Sequence, residues 1–239
     1  MAGKNATPIL GSYDVIIVGG AIMGSSTAWF LSGNKDFNGK VLVVERDMTY
    51  ESCSTAHTNS CMRQQFSAEL NVKISQFAAD FVKNLRSYMG GDERVPELSI
   101  RSFGYMYLAD TKAFAEVLRQ NQKVQRAAGA ATQVMGPDEI KAAYPFYNMD
   151  DIIAGNHNLV DEGYFDGNTL FDWWKRSARE RGVEYVHNAV VAMDRQGDKV
   201  VSVTLQSGEK IGCGTVVNAS GPRAVLTSRM AGIEMPVEP

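Results

Sequence analysis

A glycine-rich turn at residues 19–24 has the residue types and spacing that bind the phosphates of a dinucleotide. Its sequence is Gly-Gly-Ala-Ile-Met-Gly, so glycine occupies the first and third positions of the GxGxxG pattern and alanine the second. The first glycine permits a tight turn, and the third lets a helix pack closely against a strand. A helix that begins here points its free N–H groups at a pyrophosphate. The candidate phosphate-binding residues are Gly19, Gly20, Ala21, Ile22, Met23 and Gly24.

Ala21 adds one methyl group where the backbone of this pattern approaches the phosphates. The methyl group is tolerated if φ of Ala21 is negative and its Cβ points away from the phosphates, whereas a positive φ costs about 1–2 kcal/mol. We expect a negative φ, because the neighbouring Gly20 can adopt the unusual dihedral.

Glu45 places a carboxylate at the end of the second predicted strand. Residues 13–18 and 40–45 are short, β-branched runs typical of buried parallel strands, and residues 22–32 between them fit a helix. A carboxylate about 20 residues after the turn accepts hydrogen bonds from ribose hydroxyls and disfavours a 2′-phosphate. The strand, turn, helix, strand and terminal acid together favour an adenine dinucleotide other than NADP over a coincidental α/β turn.

A segment rich in small polar side chains follows at residues 53–66, with the sequence CSTAHTNSCMRQQF. An NAD dehydrogenase has no need of such a segment here, whereas a flavin enzyme needs hydroxyl donors for the pyrophosphate and polar groups around the flavin ring. A polar loop that caps a helix predicted at residue 67 explains the same residues equally well. From the residue types alone, both interpretations stay open.

A β-meander is predicted near the end of the chain. Three strand patterns between residues 189 and 218 are separated by the turn signals RQGD and SGEK. The last strand, from Gly214 to Asn218, leads into Ala219, Ser220 and Gly221, whose small side chains let a backbone pass close to a ligand.

The remaining chain alternates helices with strands, so the predicted fold class is α/β. Apolar residues at helical spacing predict one long amphipathic helix at residues 67–89, ended by the Gly90-Gly91 doublet. We further predict a strand at 100–109, helices at 112–128 and 170–181, a short helix after Pro137 and a strand at 183–186.

The composition excludes several classes of protein. The chain has 239 residues, 44% of them apolar, which suits one large or two small domains. A net charge of −3 without a basic stripe gives no reason to expect a nucleic acid partner, and no run approaches the ~20 apolar residues of a membrane span. Three cysteines without CxxC spacing argue against a metal site or a disulfide framework, and residues 1–12 lack a secretory signal, so we predict a cytoplasmic protein.

These motifs together resemble the N-terminal half of the D-amino acid oxidase superfamily of FAD-dependent oxidoreductases, which includes sarcosine oxidase, glycine oxidase and dimethylglycine dehydrogenase. The pattern is followed by residues 13–46, 53–67, 100–109, 159–183 and 214–238. The resemblance implies a Rossmann-type FAD-binding domain with a β-meander, at residues 12–95 and 165–239, and part of a mixed-sheet substrate (cap) domain at 96–164. It also implies oxidation of a C–N bond of an amine or amino acid, with hydride transfer to flavin N5.

The resemblance assigns roles to individual residues. Gly19, Gly20, Gly24 and Glu45 would hold FAD, with Arg46 next to the adenosine. The other matches are Ser54 and Thr55 near the pyrophosphate, Met62, Arg63 and Gln64 close to the flavin ring, Val190 with its backbone at the adenine, and Ala219, Ser220 and Gly221 in a turn at the FAD. No catalytic base is assigned, since hydride transfer from a neutral amine needs little beyond alignment.

His57 and Arg63 carry separate expectations. Residues 54–57, Ser-Thr-Ala-His, are similar to the Ser-Thr-x-His of dimethylglycine dehydrogenase, in which the histidine carries a covalent flavin bond. The residues that follow match another branch without that histidine, so we expect a neutral, solvated or hydrogen-bonded His57. The positive charge of Arg63 close to the ring would stabilise the reduced, anionic flavin.

Two features keep other functions open. Residues 63–67 and 162–166 are most similar to a branch related to a mitochondrial respiratory-complex assembly flavoprotein, so a non-catalytic FAD-binding scaffold is an alternative, with an NAD-dependent dehydrogenase as a third hypothesis. The family pattern normally continues beyond residue 239. We therefore expect a fragment, a split gene product or a chain with a separate C-terminal half or partner subunit, and an exposed apolar face where the further residues would pack.

Overall fold

The computed structural model describes residues 6–237. Residues 1–5, which begin the N-terminal segment, and residues 238–239, which end the predicted FAD-binding domain, lie outside the described residues. No helix in the described part is long and apolar enough to cross a membrane. The predicted cytoplasmic location stays a prediction.

The chain folds into two compact units. Unit 1 consists of Met1–Thr58 and Gly167–Pro239, and unit 2 of Asn59–Asp166. Residues 59–95, assigned from the sequence to the FAD-binding domain, thus lie in unit 2. The functional division into an FAD-binding and a substrate domain stays a prediction.

Strands and helices alternate along the chain. The strands are β1 (Ser12–Val18), β2 (Val41–Glu45), β3 (Cys61–Met62), β4 (Tyr105–Ala109), β5 (Gln133–Met135), β6 (Ala154–Asn158), β7 (Gly163–Tyr164), β8 (Glu184–His187), β9 (Val190–Gln196), β10 (Lys199–Leu205) and β11 (Lys210–Asn218). The helices are α1 (Ile22–Gly33), α2 (Ser54–His57), α3 (Glu69–Lys83), α4 (Leu85–Tyr88), α5 (Lys112–Ala127), α6 (Pro137–Ala143), α7 (Gly167–Glu180) and α8 (Ala224–Met230). The predicted α/β class is confirmed.

Unit 1 is built on a six-stranded mixed sheet with the order β8-β2-β1-β11-β10-β9. Strands β8, β2, β1 and β11 are parallel, whereas β10 and β9 continue the sheet in antiparallel fashion as the predicted meander. β11 is longer than expected, because its first residues pair with β10 and its last with β1. The core of one face is apolar and consists of Tyr13, Ile16, Val18, Leu42, Val44, Val186, Val190, Val203, Leu205 and Ile211.

The register of the parallel strands brings their carboxyl ends to one edge of the sheet. Val18 at the end of β1 pairs with Val44 on one side and with Asn218 on the other. Glu45, the last residue of β2, pairs with His187 at the end of β8. Ligands of open parallel sheets bind beyond this edge, and most of the candidate residues of unit 1 follow these strand ends.

Unit 2 contains a three-stranded antiparallel sheet with the order β4-β6-β5 and a short β3–β7 ribbon. The prediction of one continuous helix at 67–89 is wrong, since this stretch forms two helices. α3 ends at Lys83 and α4 begins at Leu85, because Asn84 (φ −113°, ψ 24°) leaves the helical conformation. The strand predicted at 100–109 is shorter, since only its second half pairs with β6. Arg101, in its first half, instead pairs with Tyr164 of β7 in an isolated antiparallel bridge. The Arg101 N–H donates to the Tyr164 carbonyl at 2.8 Å.

Candidate functional site

The turn between β1 and α1 is held in a shape that only glycine permits at two positions. Gly19 has φ +97°, and a Cβ there would lie 2.5 Å from the carbonyl oxygen of Ala219. A Cβ on Gly24 would lie 1.8 Å from the carbonyl oxygen of Gly19. Gly19 thus permits the tight turn, and Gly24 lets α1 lie close to the turn and to Ile17 of β1, whereas the cofactor-binding role of both glycines stays a prediction.

Ala21 adopts an extended conformation at the N-cap of α1, with φ −71° and ψ −161°. The expected negative φ is confirmed, so its methyl group causes no backbone strain. The expectation that Gly20 adopts the unusual dihedral is wrong, since the residue with a positive φ is Gly19 and not Gly20.

Gly20 does not have a positive φ, but its close neighbours leave little room for a side chain at this position. A Cβ on this residue would lie 3.0 Å from Val43 Cγ1 and 3.2 Å from both Glu45 Cβ and Tyr50 Oη. Its N–H donates to Glu45 Oε2 at 2.7 Å, while the Asp47 N–H donates to Glu45 Oε1 at 2.8 Å. Because each carboxylate oxygen has a further lone pair, the fixed and buried Glu45 can still accept ribose hydroxyl groups.

Tyr50 is a component of this site that the sequence did not reveal. Its side chain is buried, its φ is +59°, and its hydroxyl lies beside Gly20. Burial, and then the charge of Glu45, raise the pKa of Tyr50, so the hydroxyl stays neutral. Lys175 of α7 lies 4.6 Å from the ring centroid. A tyrosine with positive φ carries no sequence signal, which explains why it was missed.

Helix α2 contributes one of its predicted residues to the N-terminus of α1. The Ile22 N–H donates to Thr55 Oγ1 at 3.3 Å, and Thr55 is buried. Ser54 and His57, on the same short helix, are exposed, as is Met23 in the first turn of α1. The hydroxyl of Thr55 thus accepts one of the N–H groups at the start of α1, and its place at the pyrophosphate stays a prediction.

The turn after β11 lies beside Gly19 and is stabilised by Asn218. The Ala219 N–H donates to the Val18 carbonyl at 2.9 Å, which continues the β1–β11 pairing by one residue. Ser220 donates from its hydroxyl to Asn218 Oδ1 at 2.7 Å, and Gly221 follows with φ +56°. The sequence pattern identifies Asn218 only as the end of a strand, but its side chain shapes the turn.

The predicted adenosine side of the site lies at the ends of β2 and β8. The Asn188 N–H donates to the Glu45 carbonyl at 3.0 Å, and a His187 ring nitrogen lies 2.9 Å from the carbonyl oxygen of the exposed Arg46. Val190 follows two residues later as the first residue of β9, with its side chain in the core. The side chain of Val190 is therefore not available for a ligand, and the backbone contact with adenine that the resemblance implies stays a prediction.

Residues 62–66, the Arg63 segment, belong to unit 2. Met62 lies on β3 and pairs with Gly163. The Arg63 guanidinium lies over three aromatic rings, 5.2 Å from the centroid of Phe66, 5.7 Å from Tyr105 and 5.9 Å from Tyr107. Its Nε is buried and has no hydrogen-bond partner among the described residues. The segment therefore carries a positive charge that is surrounded by aromatic rings and whose Nε is not bonded to any acceptor in residues 6–237.

Gln64 and Gln65 are buried and turn inward from the Arg63 segment. The Gln64 N–H donates to Glu162 at 2.7 Å, and its side chain donates to the Val160 carbonyl at 3.2 Å. Gln64 is thus tied into unit 2 by its backbone and by its side-chain amide. Neither Gln65 nor Glu162 was among the predicted site residues.

The residues of unit 1 fit FAD. The turn can close at the start of α1 only because Gly19 and Gly24 lack Cβ atoms, and Glu45 has acceptor capacity left for a ribose. Within the described residues, no group of three His, Cys, Asp or Glu side chains could hold a metal ion. The arrangement is suited to an adenine dinucleotide.

Comparisons with known proteins agree with this geometry. The sequence model of the family described as FAD dependent oxidoreductase matches residues 14–239. FAD-dependent oxidoreductase domain-containing protein 1 of Xenopus laevis is 32% identical over 95% of this chain and 52% of its own length. Sarcosine oxidase subunit beta of Arthrobacter sp is 25% identical over 95% of this chain and 55% of its own length. The chain spans about half the length of these relatives.

Solved structures show the same fold. L-proline dehydrogenase from P. horikoshii superimposes with a TM-score of 0.77 at 25% identity, over 96% of this chain and 58% of that protein. Glycine oxidase from Geobacillus kaustophilus superimposes with a TM-score of 0.74 at 18% identity, over 96% of this chain and 61% of that protein. The predicted resemblance to the D-amino acid oxidase superfamily and the prediction of FAD as cofactor are confirmed, and the chain belongs to the family of FAD-dependent oxidoreductases.

Proposed function

We propose that this chain binds FAD through unit 1 and takes part in the oxidation of a C–N bond of an amine or amino acid. The observation that carries the proposal is the turn at Gly19–Gly24, closed against Ala219 and next to the carboxylate of Glu45. The N–H groups at the start of α1 hold the pyrophosphate, and Glu45 holds the adenosine ribose. FAD supplies the redox chemistry, by accepting two electrons from the substrate.

The substrate class is supported by the relatives and by a charge on this chain. Sarcosine dehydrogenase of Homo sapiens (24% identical) and sarcosine oxidase subunit beta are named for a secondary amino acid, and the structure of L-proline dehydrogenase for another. The Arg63 guanidinium supplies a positive charge that suits an anionic group, and its Nε has no hydrogen-bond acceptor among the described residues. The resemblance assigns Arg63 and Gln64 to positions close to the flavin ring, and the proposed function adopts this assignment.

Further protein completes the substrate site, either in the same polypeptide or in a partner subunit. The matched relatives are about twice as long as this chain. Leu226, Ile233 and Val237 of unit 1 are more than half exposed. Ile233 also lines a cavity of about 360 Å³, together with residues of β9, β10, β11 and α8. An apolar surface of this kind is typical of an interface.

The absorbance spectrum of the purified chain tests the cofactor. We expect a yellow protein that releases FAD into the supernatant on acid precipitation, because His57 is exposed and is not expected to bond to the flavin. Colour retained in the pellet would show a covalent bond, with His57→Ala as the control that abolishes it. A colourless protein that does not bind added FAD would reject the proposal.

Anaerobic titration with sarcosine, L-proline and glycine tests the reaction. Bleaching of the flavin absorbance by one of these compounds supports the oxidoreductase. Bound FAD that no amine or amino acid reduces, in the chain alone or with its completing half, would favour the non-catalytic scaffold. The third hypothesis, an NAD-dependent dehydrogenase, is not supported by the family to which the chain belongs.

A further inference from the structure

Glu162 is a carboxylate in unit 2 that is fully buried and has no part in the proposed function so far. Its Oε1 accepts hydrogen bonds from the Gln64 N–H at 2.7 Å and from Asn158 Nδ2 at 2.8 Å, and its Oε2 accepts one from Gln65 Nε2 at 2.8 Å. A buried carboxylate is retained only where such donors offset its desolvation.

Two of these hydrogen bonds reach the surroundings of Arg63. The Gln64 N–H belongs to the peptide unit that Arg63 begins, so Glu162 fixes the backbone on which the arginine side chain stands. Gln65 Nε2 donates to Glu162 and also to the Tyr105 carbonyl at 2.9 Å, and the Tyr105 ring lies next to the Arg63 guanidinium. Glu162 thus holds both the backbone at Arg63 and one of the aromatic rings that orient the Arg63 guanidinium.

The charges of Glu162 and Arg63 also interact. Burial raises the pKa of Glu162 above its usual range, although its hydrogen-bond donors and the charge of Arg63 lower the pKa in part. Arg63 Nε has no hydrogen-bond acceptor in the described residues. The Glu162 carboxylate therefore offsets the positive charge of Arg63 through space and not through a hydrogen bond at that nitrogen.

We propose that Glu162 is a positioning residue for Arg63. It fixes the orientation of the guanidinium, and its buried charge limits how strongly Arg63 stabilises a negative charge placed beside it. The second part rests on the proposed function, since only the proposed FAD site gives Arg63 a flavin on which to act.

Hydrogen exchange of the Arg63 Nε proton, followed by ¹⁵N NMR and assigned with Arg63→Lys, tests the positioning without any cofactor. We expect Glu162→Gln to accelerate this exchange at least about tenfold, because the guanidinium loses its fixed surroundings. The matched control is Asp161→Asn, which removes the neighbouring carboxylate and its exposed ion pair with Lys83 and should leave the rate within about twofold.

An unchanged rate in a folded Glu162→Gln chain would overturn the positioning. If circular dichroism shows that this variant does not fold, Gln65→Leu gives the same test, since it removes only the connection from Glu162 to Tyr105. Faster exchange in Gln65→Leu then supports the proposal, and an unchanged rate contradicts it. If the wild-type chain does not bind FAD, the proposed function is rejected. The exchange rate of the Arg63 Nε proton still decides whether Glu162 positions Arg63.

The flavin redox equilibrium tests the electrostatic part. At a fixed reference potential, Glu162→Gln should raise the ratio of reduced to oxidised flavin about tenfold, or about 30 mV for a two-electron couple, because Arg63 loses its compensating charge. In an Arg63→Gln background the same substitution should change the ratio by less than about twofold. An equal shift in that background, or in Asp161→Asn, would show that Glu162 does not act through Arg63.

Discussion

The turn of unit 1 and the Arg63 segment of unit 2 present their functional groups in opposite ways. In the turn, the proposed ligand contacts are backbone N–H groups, and the main requirement on the sequence is the absence of side chains at Gly19 and Gly24. In the Arg63 segment, a charged side chain is the functional group, and buried side chains distant in sequence hold it in place. A site made from backbone is therefore specified locally, and a site made from side chains is specified by long-range contacts.

This difference implies that damage to the two regions has different consequences. A side chain added at Gly19 or Gly24 should strongly weaken cofactor binding, because its Cβ would collide with the backbone and open the turn. A side chain removed from around Glu162 should lower the stability of unit 2, because it leaves a buried charge with fewer donors. The following predictions test this separation.

Gly24→Val should have the largest effect. Its Cβ would lie 1.8 Å from the Gly19 carbonyl oxygen, so the turn must open before α1 can form. We expect the FAD dissociation constant, measured by fluorescence titration, to rise more than about a hundredfold, which corresponds to about 2.7 kcal/mol. The control is Gly11→Val in the same unit, where nothing lies within 4 Å of an added Cβ. Equal losses in the two variants would contradict the argument.

Asn158→Leu should destabilise unit 2. Asn158 is buried, and its Nδ2 donates to Glu162 while its Oδ1 accepts from the Val160 N–H at 3.0 Å. Removal of one donor from a buried carboxylate is expected to lower the free energy of unfolding by about 3 kcal/mol. Urea denaturation measures this change, with the exposed Asn148→Leu as the control. A loss below about 1 kcal/mol would mean that the network does not support the fold.

The sequence identified most of unit 1 and little of the organisation of unit 2. The turn, Glu45 and the meander are visible because strand, glycine and acid follow each other within a short stretch. Glu162 and Gln64 are 98 positions apart, and no periodicity or motif connects them. Tyr50 was missed for a related reason, since its position beside Gly20 depends on a positive φ that its residue type does not indicate.

Glu45→Gln should weaken FAD binding by less than Gly24→Val does. The amide keeps one acceptor oxygen but places an NH₂ group against a backbone N–H, of either Gly20 or Asp47. Hydrogen bonds to charged groups contribute about 1.5–3 kcal/mol, so we expect the dissociation constant of FAD to rise about 10–100-fold. Glu51→Gln, at an exposed position after the same strand, should leave it unchanged. If Glu45→Gln is equally neutral, the ribose is held elsewhere.

Ala21→Gly should have the smallest effect, and it tests whether the turn of this chain is a fully functional one. The observed φ of −71° shows that the methyl group is accommodated without strain, and Gly19, not Ala21, adopts the conformation that requires glycine. The substitution therefore removes no clash in the backbone and adds flexibility at the N-cap of α1. We expect the FAD dissociation constant to change by less than about tenfold in either direction. A much tighter complex would show that the methyl group obstructs the pyrophosphate, and would favour a protein that no longer depends on its cofactor.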